Sequence, residues 1–111
     1  MIHMLSRFDL KPGISAEEFK ASYALMLDQL RDLDLVETSG PVGERVSDTP
    51  MDTDASNAPR FYVLMSFRDR AQLDASYDYL SGGGADREHI RGHLTMHRKT
   101  TNQTFTCWSD A

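Results

Sequence analysis

Apolar and polar residues alternate at the start of the chain and then change period, and that change predicts the first two elements. From Ile2 to Leu10, Ile2, Met4, Phe8 and Leu10 share one face, while His3, Leu5, Arg7 and Asp9 share the other. This two-residue period is that of a strand. Lys11-Pro12-Gly13 supplies a turn. Ser15-Ala16-Glu17-Glu18 then fits a capping box, in which the serine hydroxyl accepts from the amide three residues on and Glu18 reaches back. Beyond it Phe19, Tyr23, Met26, Leu27, Leu30 and Leu33 recur at steps of three and four. A helix with one apolar stripe is expected to about Asp34.

The rest of the chain divides in the same way. Leu35 to Val46 predicts a second strand, interrupted around Ser39-Gly40-Pro41, because proline lacks a ladder donor and belongs at an edge or bulge. Residues 48–59 (DTPMDTDASNAP) are rich in turn-formers and acids, and an exposed, mobile loop is expected. In Arg60 to Arg68, Phe61, Val63, Met65 and Phe67 face one way, with Tyr62 and Leu64 facing the other. So continuous an apolar run implies burial on both faces, whereas one layer of helices covers only one. Asp69-Arg70-Ala71-Gln72 caps a helix to about Leu80, with Leu73, Tyr77 and Leu80 at helical spacing, and Ser81-Gly82-Gly83-Gly84 stops it. Ala85 to about His97 reads as a further helical stretch, and Thr100 to Trp108 as a closing strand.

The order strand–helix–strand–strand–helix–short helix–strand is an α+β, ferredoxin-like βαββαβ arrangement with an extra short helix. It predicts a four-stranded antiparallel sheet with helices on one face. Residues 1–111 read as a single domain. A chain this short buries only roughly 60–70% of the surface its unfolded form exposes, which leaves a reason to self-associate.

Charge and cysteine content narrow the function. Seventeen acids against twelve bases give a net charge of −5, and the longest basic cluster is Arg98-Lys99 beside His97. Nucleic acid and anionic membrane surfaces are therefore not expected partners. The lone Cys107 cannot form an internal disulfide, and in a strand it reads as a small apolar residue. His3, Arg7 and Asp9 stand where a signal peptide needs an unbroken apolar stretch, so a cytoplasmic location is expected.

The chain resembles the dimeric α/β-barrel superfamily through IHMLSRFDL, the turn KPG before a capped helix, FYVLMSF followed directly by DRAQLDASYDYL, and the histidine-bearing segment before TFTCW. That superfamily includes cofactor-free monooxygenases, muconolactone isomerase-like, EthD-like and stress-responsive barrel proteins. The resemblance implies a homodimer in which two open sheet faces press together as a barrel. It also implies that His93 or His97, just ahead of the last strand, matches a histidine that recurs in parts of the superfamily. Chemistry in its enzymes occurs in a cleft between the open sheet face and the helices, lined by aromatics and one or two polar groups. The candidates here are His93 and His97 as proton-transfer residues, with His3, Tyr62 and Trp108 as ligand contacts. The expected ligand is a small apolar or aromatic compound, and no cofactor is expected.

Several features have competing readings. His89, His93 and His97 stand at i, i+4 and i+8. Their total rise is about 12 Å on a helix, too far for one metal. An adjacent pair would need a further ligand such as His3, Asp9 or Glu88, and no acid or cysteine stands at motif spacing, so no metal ligands are assigned. The favoured reading is a solvated or interface face with one histidine held by a backbone carbonyl. Tyr23, Tyr77 and Tyr79 read as packing or rim residues. The triple glycine is read as a link rather than a phosphate site, since Asp86 and Glu88 would repel the anion. Two functions remain: a small-molecule protein catalysing a cofactor-independent oxidation or isomerisation, or a non-catalytic ligand-binding or interaction dimer. A metal or haem protein stands third.

Overall fold

Strand β1 (Ile2–Leu10) lies inside the sheet, with a strand hydrogen-bonded along each of its edges. The computed structural model describes residues 1–55, 57–81 and 91–111. On one side β1 pairs antiparallel with β4 (Phe61–Phe67), Ile2 opposite Phe67 and Phe8 opposite Phe61. On the other it pairs antiparallel with β5 (Thr100–Ser109), Ile2 opposite Ser109. The far edge of β4 carries β2 (Thr38–Ser39) and β3 (Gly43–Glu44), two dipeptide strands where one interrupted strand was expected. Pro41, with no N–H to give, lies between them, while Glu37 and Gly40 donate to the Ser66 and Leu64 carbonyls at 3.0 and 2.9 Å.

Helix α1 (Ala16–Asp32) begins with the serine half of the expected capping box, Ser15 Oγ accepting from the Glu18 amide at 3.1 Å. The Glu18 carboxylate is engaged by Lys99 Nζ at 3.1 Å, which ties the helix start to the turn before β5. The helix ends two residues earlier than expected. Asp34 takes φ 56°, Leu35 N donates to Leu30 O at 2.8 Å and Asp34 N to Arg31 O at 3.0 Å, a Schellman closure. Leu33, expected in the buried stripe, is the C-terminal cap and is exposed.

The core lies between α1 and the helix-facing side of β1 and β4. Phe19, Tyr23, Met26, Leu27 and Leu30 pack there with Phe8, Val63, Met65 and Phe67. Helix α2 (Arg70–Leu80) is capped by Asp69, whose Oδ1 accepts from the Gln72 amide at 2.9 Å. Its buried side differs from the expected Leu73-Tyr77-Leu80 line. Gln72 and Ser76 are buried, and Tyr77 is 74% exposed. The reason is that Gln72 satisfies two backbone groups that the core would otherwise strand: Oε1 accepts from Arg68 N at 2.7 Å, and Nε2 donates to Asp34 O at 3.1 Å.

Helix α3 (Arg91–Arg98) leads through a tight turn into β5. The expected helical start at Ala85, the triple glycine, Glu88 and His89 lie outside the described residues. The β1–β5 register shifts between Arg7 and Asp9, which face Thr104 and Thr101. Asn102, at φ 53°, makes this a bulge, with two residues on β5 against one on β1. The bulge reverses the alternation of β5. Phe105 and Cys107, opposite Ser6 and Met4, face the helices, and Trp108, opposite His3, faces the open side. No helix among the described residues is long and apolar enough to cross a membrane.

Candidate functional site

Helices α1, α2 and α3 do not close completely on the sheet, and they leave a cavity of about 140 Å³. Its walls are almost wholly apolar: Met4, Phe8, Met26, Val63, Met65, Leu73 and Met96 form most of them. Tyr77 and Phe105 line the cavity and are themselves solvent-exposed, so they form its mouth. Polar groups in the wall include Ser6, Ser76, Thr100, Gln103 and His97. Tyr23 also lines it, and its hydroxyl is paired with Ser39 Oγ at 2.6 Å. Burial pushes the Tyr23 phenol above its ordinary value, against the opposing hydrogen bond from Ser39 and the charge of Arg31, so it stays protonated.

His97 is held in one tautomer. Thr100 Oγ1 lies 3.0 Å from the His97 carbonyl oxygen, which can only accept, so the threonine hydrogen points there. Thr100 Oγ1 then accepts from Gln103 Nε2. That contact turns Gln103 Oε1 toward His97 Nδ1, 3.1 Å away. An amide oxygen only accepts, so Nδ1 carries a proton, and in the neutral form of the ring Nε2 is the nitrogen with the lone pair. A neutral imidazole so arranged is a base with its rear nitrogen anchored.

His93 packs against this ring. The two imidazoles meet edge to face, with centroids 4.4 Å apart. His93 Nδ1 is buried with no hydrogen-bond partner among the described residues. Burial, and secondarily the nearby His97, lower the His93 pKa to about 4, so its ring is neutral at physiological pH. The expectation of a histidine held by a backbone carbonyl is not what His97 shows. A side-chain amide holds it instead.

The structure does not bring the five sequence candidates together. His97 lines the cavity and His93 contacts it, but His3, Tyr62 and Trp108 lie across the sheet on the face away from the helices. There His3 and Trp108 form a cross-strand pair with ring centroids 5.5 Å apart. His3 Nδ1 meets Ser66 Oγ at 2.7 Å, and Nε2 meets Asp110 Oδ1 at 2.8 Å. The hydrogen bond from His3, and then that from the terminal ammonium, hold the Asp110 carboxyl below its ordinary value. Hydroxyl, imidazole and carboxylate stand in line, but Ser66 is buried, and among the described residues its hydroxyl meets His3 alone. Tyr62 stands four positions along the strands from this trio, about 13 Å, beneath the guanidinium of Arg7.

Sequence reasoning missed Thr100 and Gln103 as site residues. Their signal was faint: two polar side chains three apart, where a helix passes into a strand. Among the described residues, no three His, Cys, Asp or Glu side chains are grouped to hold a metal ion.

The chain matches no protein-family model and no curated protein by sequence. Its fold has clear counterparts. The Arabidopsis thaliana protein At3g17210 superposes with a TM-score of 0.71 at 10% identity, over 100% of this chain and 96% of its own. A dimeric ferredoxin-like protein of unknown function from Jannaschia sp. CCS1 gives 0.64 at 17% identity, over 98% of both chains. A dimeric protein of unknown function and ferredoxin-like fold from Bacteroides fragilis gives 0.56 at 9% identity, over 98% of this chain and 95% of that one. The fold is ferredoxin-like. At these identities the likeness extends to the fold alone.

Proposed function

We propose that this protein binds a small apolar or aromatic compound in the cavity between sheet and helices, with His97 Nε2 as the proton-accepting group. The observation that carries this reading is an imidazole anchored through Nδ1 in the wall of a mostly apolar cavity of about 140 Å³. An apolar cavity of roughly 150 Å³ is large enough to take up benzene. Isomerisation is the reaction such a site balances alone: Nε2 takes a proton from one carbon of a carbonyl compound and returns it at another. A cofactor-independent oxygenation would share the first step and use dioxygen as co-substrate. Without a reactive ligand the same site serves as a binding module.

Phenol and benzene titrated against the ¹⁵N-labelled chain test this. Phenol can donate to Nε2 and benzene cannot, so phenol should bind the parent more tightly. His97→Leu should weaken phenol binding by up to roughly tenfold, the value of one hydrogen bond, while sparing benzene. If neither compound shifts the amides of Met26, Val63 and Ser76, no binding cavity exists. Equal loss for both compounds would remove the base role.

A second copy of the chain is the proposed cover for the open sheet face. Leu64, on the inner strand β4, is 37% exposed there, and Trp108 is 44% exposed. Two of the structural counterparts cited above are described as dimeric. Sedimentation of the parent should give the mass of two chains, and Leu64→Glu, placing a charge in the interface, should give one. A parent mass of one chain at micromolar concentration would rule the dimer out.

A further inference from the structure

On the sheet face opposite His97, two arginines from separate parts of the chain close on one carboxylate. Arg7 of β1 donates from Nη2 to Asp54 Oδ2 at 3.0 Å. Arg45, just after β3, donates from Nη2 to Asp54 Oδ1 at 2.7 Å and from Nη1 to the Ala55 carbonyl at 3.2 Å. The Arg45 side chain is only 10% exposed. The Nε atoms of both arginines are buried with no hydrogen-bond partner among the described residues. The Arg7 guanidinium carbon lies 5.4 Å from the centroid of the Tyr62 ring, which shields one face of it.

This is an unusual concentration of positive charge in a chain whose net charge is −5. Two guanidinium groups drawn out of water repel one another and need a compensating anion. Asp54 supplies one negative charge for two positive ones, and it leaves both buried Nε–H donors without an acceptor among the described residues. It also comes from the segment between β3 and β4, which forms no helix or strand among its described residues. The donors are therefore built on the sheet and beside it, while the acceptor arrives on a loop.

We propose that Arg7 and Arg45 form a binding site for a small oxyanion, the phosphate or carboxylate group of a ligand, with Asp54 as its intramolecular stand-in. An entering oxyanion displaces Asp54. A phosphate dianion neutralises both guanidinium charges, and its oxygens, spread in three dimensions, suit Nε as well as Nη donors. Both donors and the stand-in carboxylate come from one chain.

Inorganic phosphate and acetate, each titrated into the full-length ¹⁵N-labelled chain while the arginine Nε–H signals are followed, provide the test. An acid tethered on a loop competes at an effective concentration of about the millimolar range, so Asp54→Asn should tighten oxyanion binding roughly tenfold. Adding Arg45→Gln to that variant should abolish it. Tightening for phosphate alone assigns a phosphate ligand, and tightening for acetate alone or for both assigns a carboxylate-bearing one. Parent-like affinity in Asp54→Asn would overturn the proposal, as would binding that survives in the double variant. Should Asp54→Asn not fold, the parent decides: perturbation of the Arg7 and Arg45 Nε–H signals by phosphate at tens of millimolar supports displacement. Unmoved signals refute it.

Discussion

His97 Nδ1 and Gln103 Oε1 lie 3.1 Å apart across the turn from α3 into β5, and this contact fixes which imidazole nitrogen keeps its lone pair. The rest of the loop closes on the same residue, because Thr100 Oγ1 donates to the His97 carbonyl and accepts from Gln103 Nε2. The imidazole and the groups that orient it are thus supplied by one short segment and need no residue from a distant strand.

Gln103→Leu removes the acceptor for Nδ1–H. The parent should show a single His97 tautomer, protonated at Nδ1, in its imidazole ¹⁵N shifts. The variant should show a growing Nε2–H population and lose about 1 kcal/mol of stability. An unchanged tautomer in Gln103→Leu would mean that another group sets it.

Acid should expose His93. In the unfolded chain this residue titrates near 6.5, whereas in the folded chain its pKa is about 4. Between those values only the unfolded state takes up the proton. Stability is therefore complete above pH 6.5, falls as the pH drops toward 4, and does not fall further on this account below it. His93 is only half-buried, so solvent screening limits the loss to on the order of 1–2 kcal/mol. Denaturant melts at pH 7 and pH 4.5 should show a smaller acid loss for His93→Gln than for the parent. Identical losses would place the acid sensitivity elsewhere.

The elements were legible where their causes are local. Ser15 and Asp69 cap helices through amides three residues away, and the alternation in β1 and β4 follows from neighbouring residues. The site was less legible because its causes are not local. Gln72 is buried because of a partner 38 residues away. Asp54, in a loop expected to be mobile, meets Arg7 across 47 positions. His3 and Trp108 were expected beside His97, but alternation in β1 and the shifted register of β5 place both on the opposite face. Periodicity reports which residues share a face. It does not report which polar side chain will satisfy a distant backbone group.

Gln72 also provides a stability test. It is 4% exposed and serves the Arg68 amide and the Asp34 carbonyl. Gln72→Leu adds apolar surface to the core but strands both groups, so a loss of roughly 2–3 kcal/mol is expected in urea melts. A variant as stable as the parent would show that water replaces the side chain at both points.

Asn102 carries the bulge that sets the faces of β5, and its φ of 53° lies in the left-handed region. Its Nδ2 also donates to Asp9 Oδ2 at 3.1 Å. Asn102→Gly keeps the backbone conformation and gives up one exposed hydrogen bond, so the loss should be no more than about 1 kcal/mol. Asn102→Val places a β-branched side chain where Cβ meets the following carbonyl, which adds roughly 1–2 kcal/mol to that loss. The valine variant can relieve the strain by flattening the bulge, and β5 then slips by one residue against β1. Such a slip turns Trp108 toward the helices and sends Phe105 and Cys107 to the open face. Trp108 is the chain's single tryptophan, so its emission reports its environment directly. A blue shift in Asn102→Val, absent in Asn102→Gly, is the expected result. Parent-like emission and stability in both variants would show that side-chain packing alone holds the register.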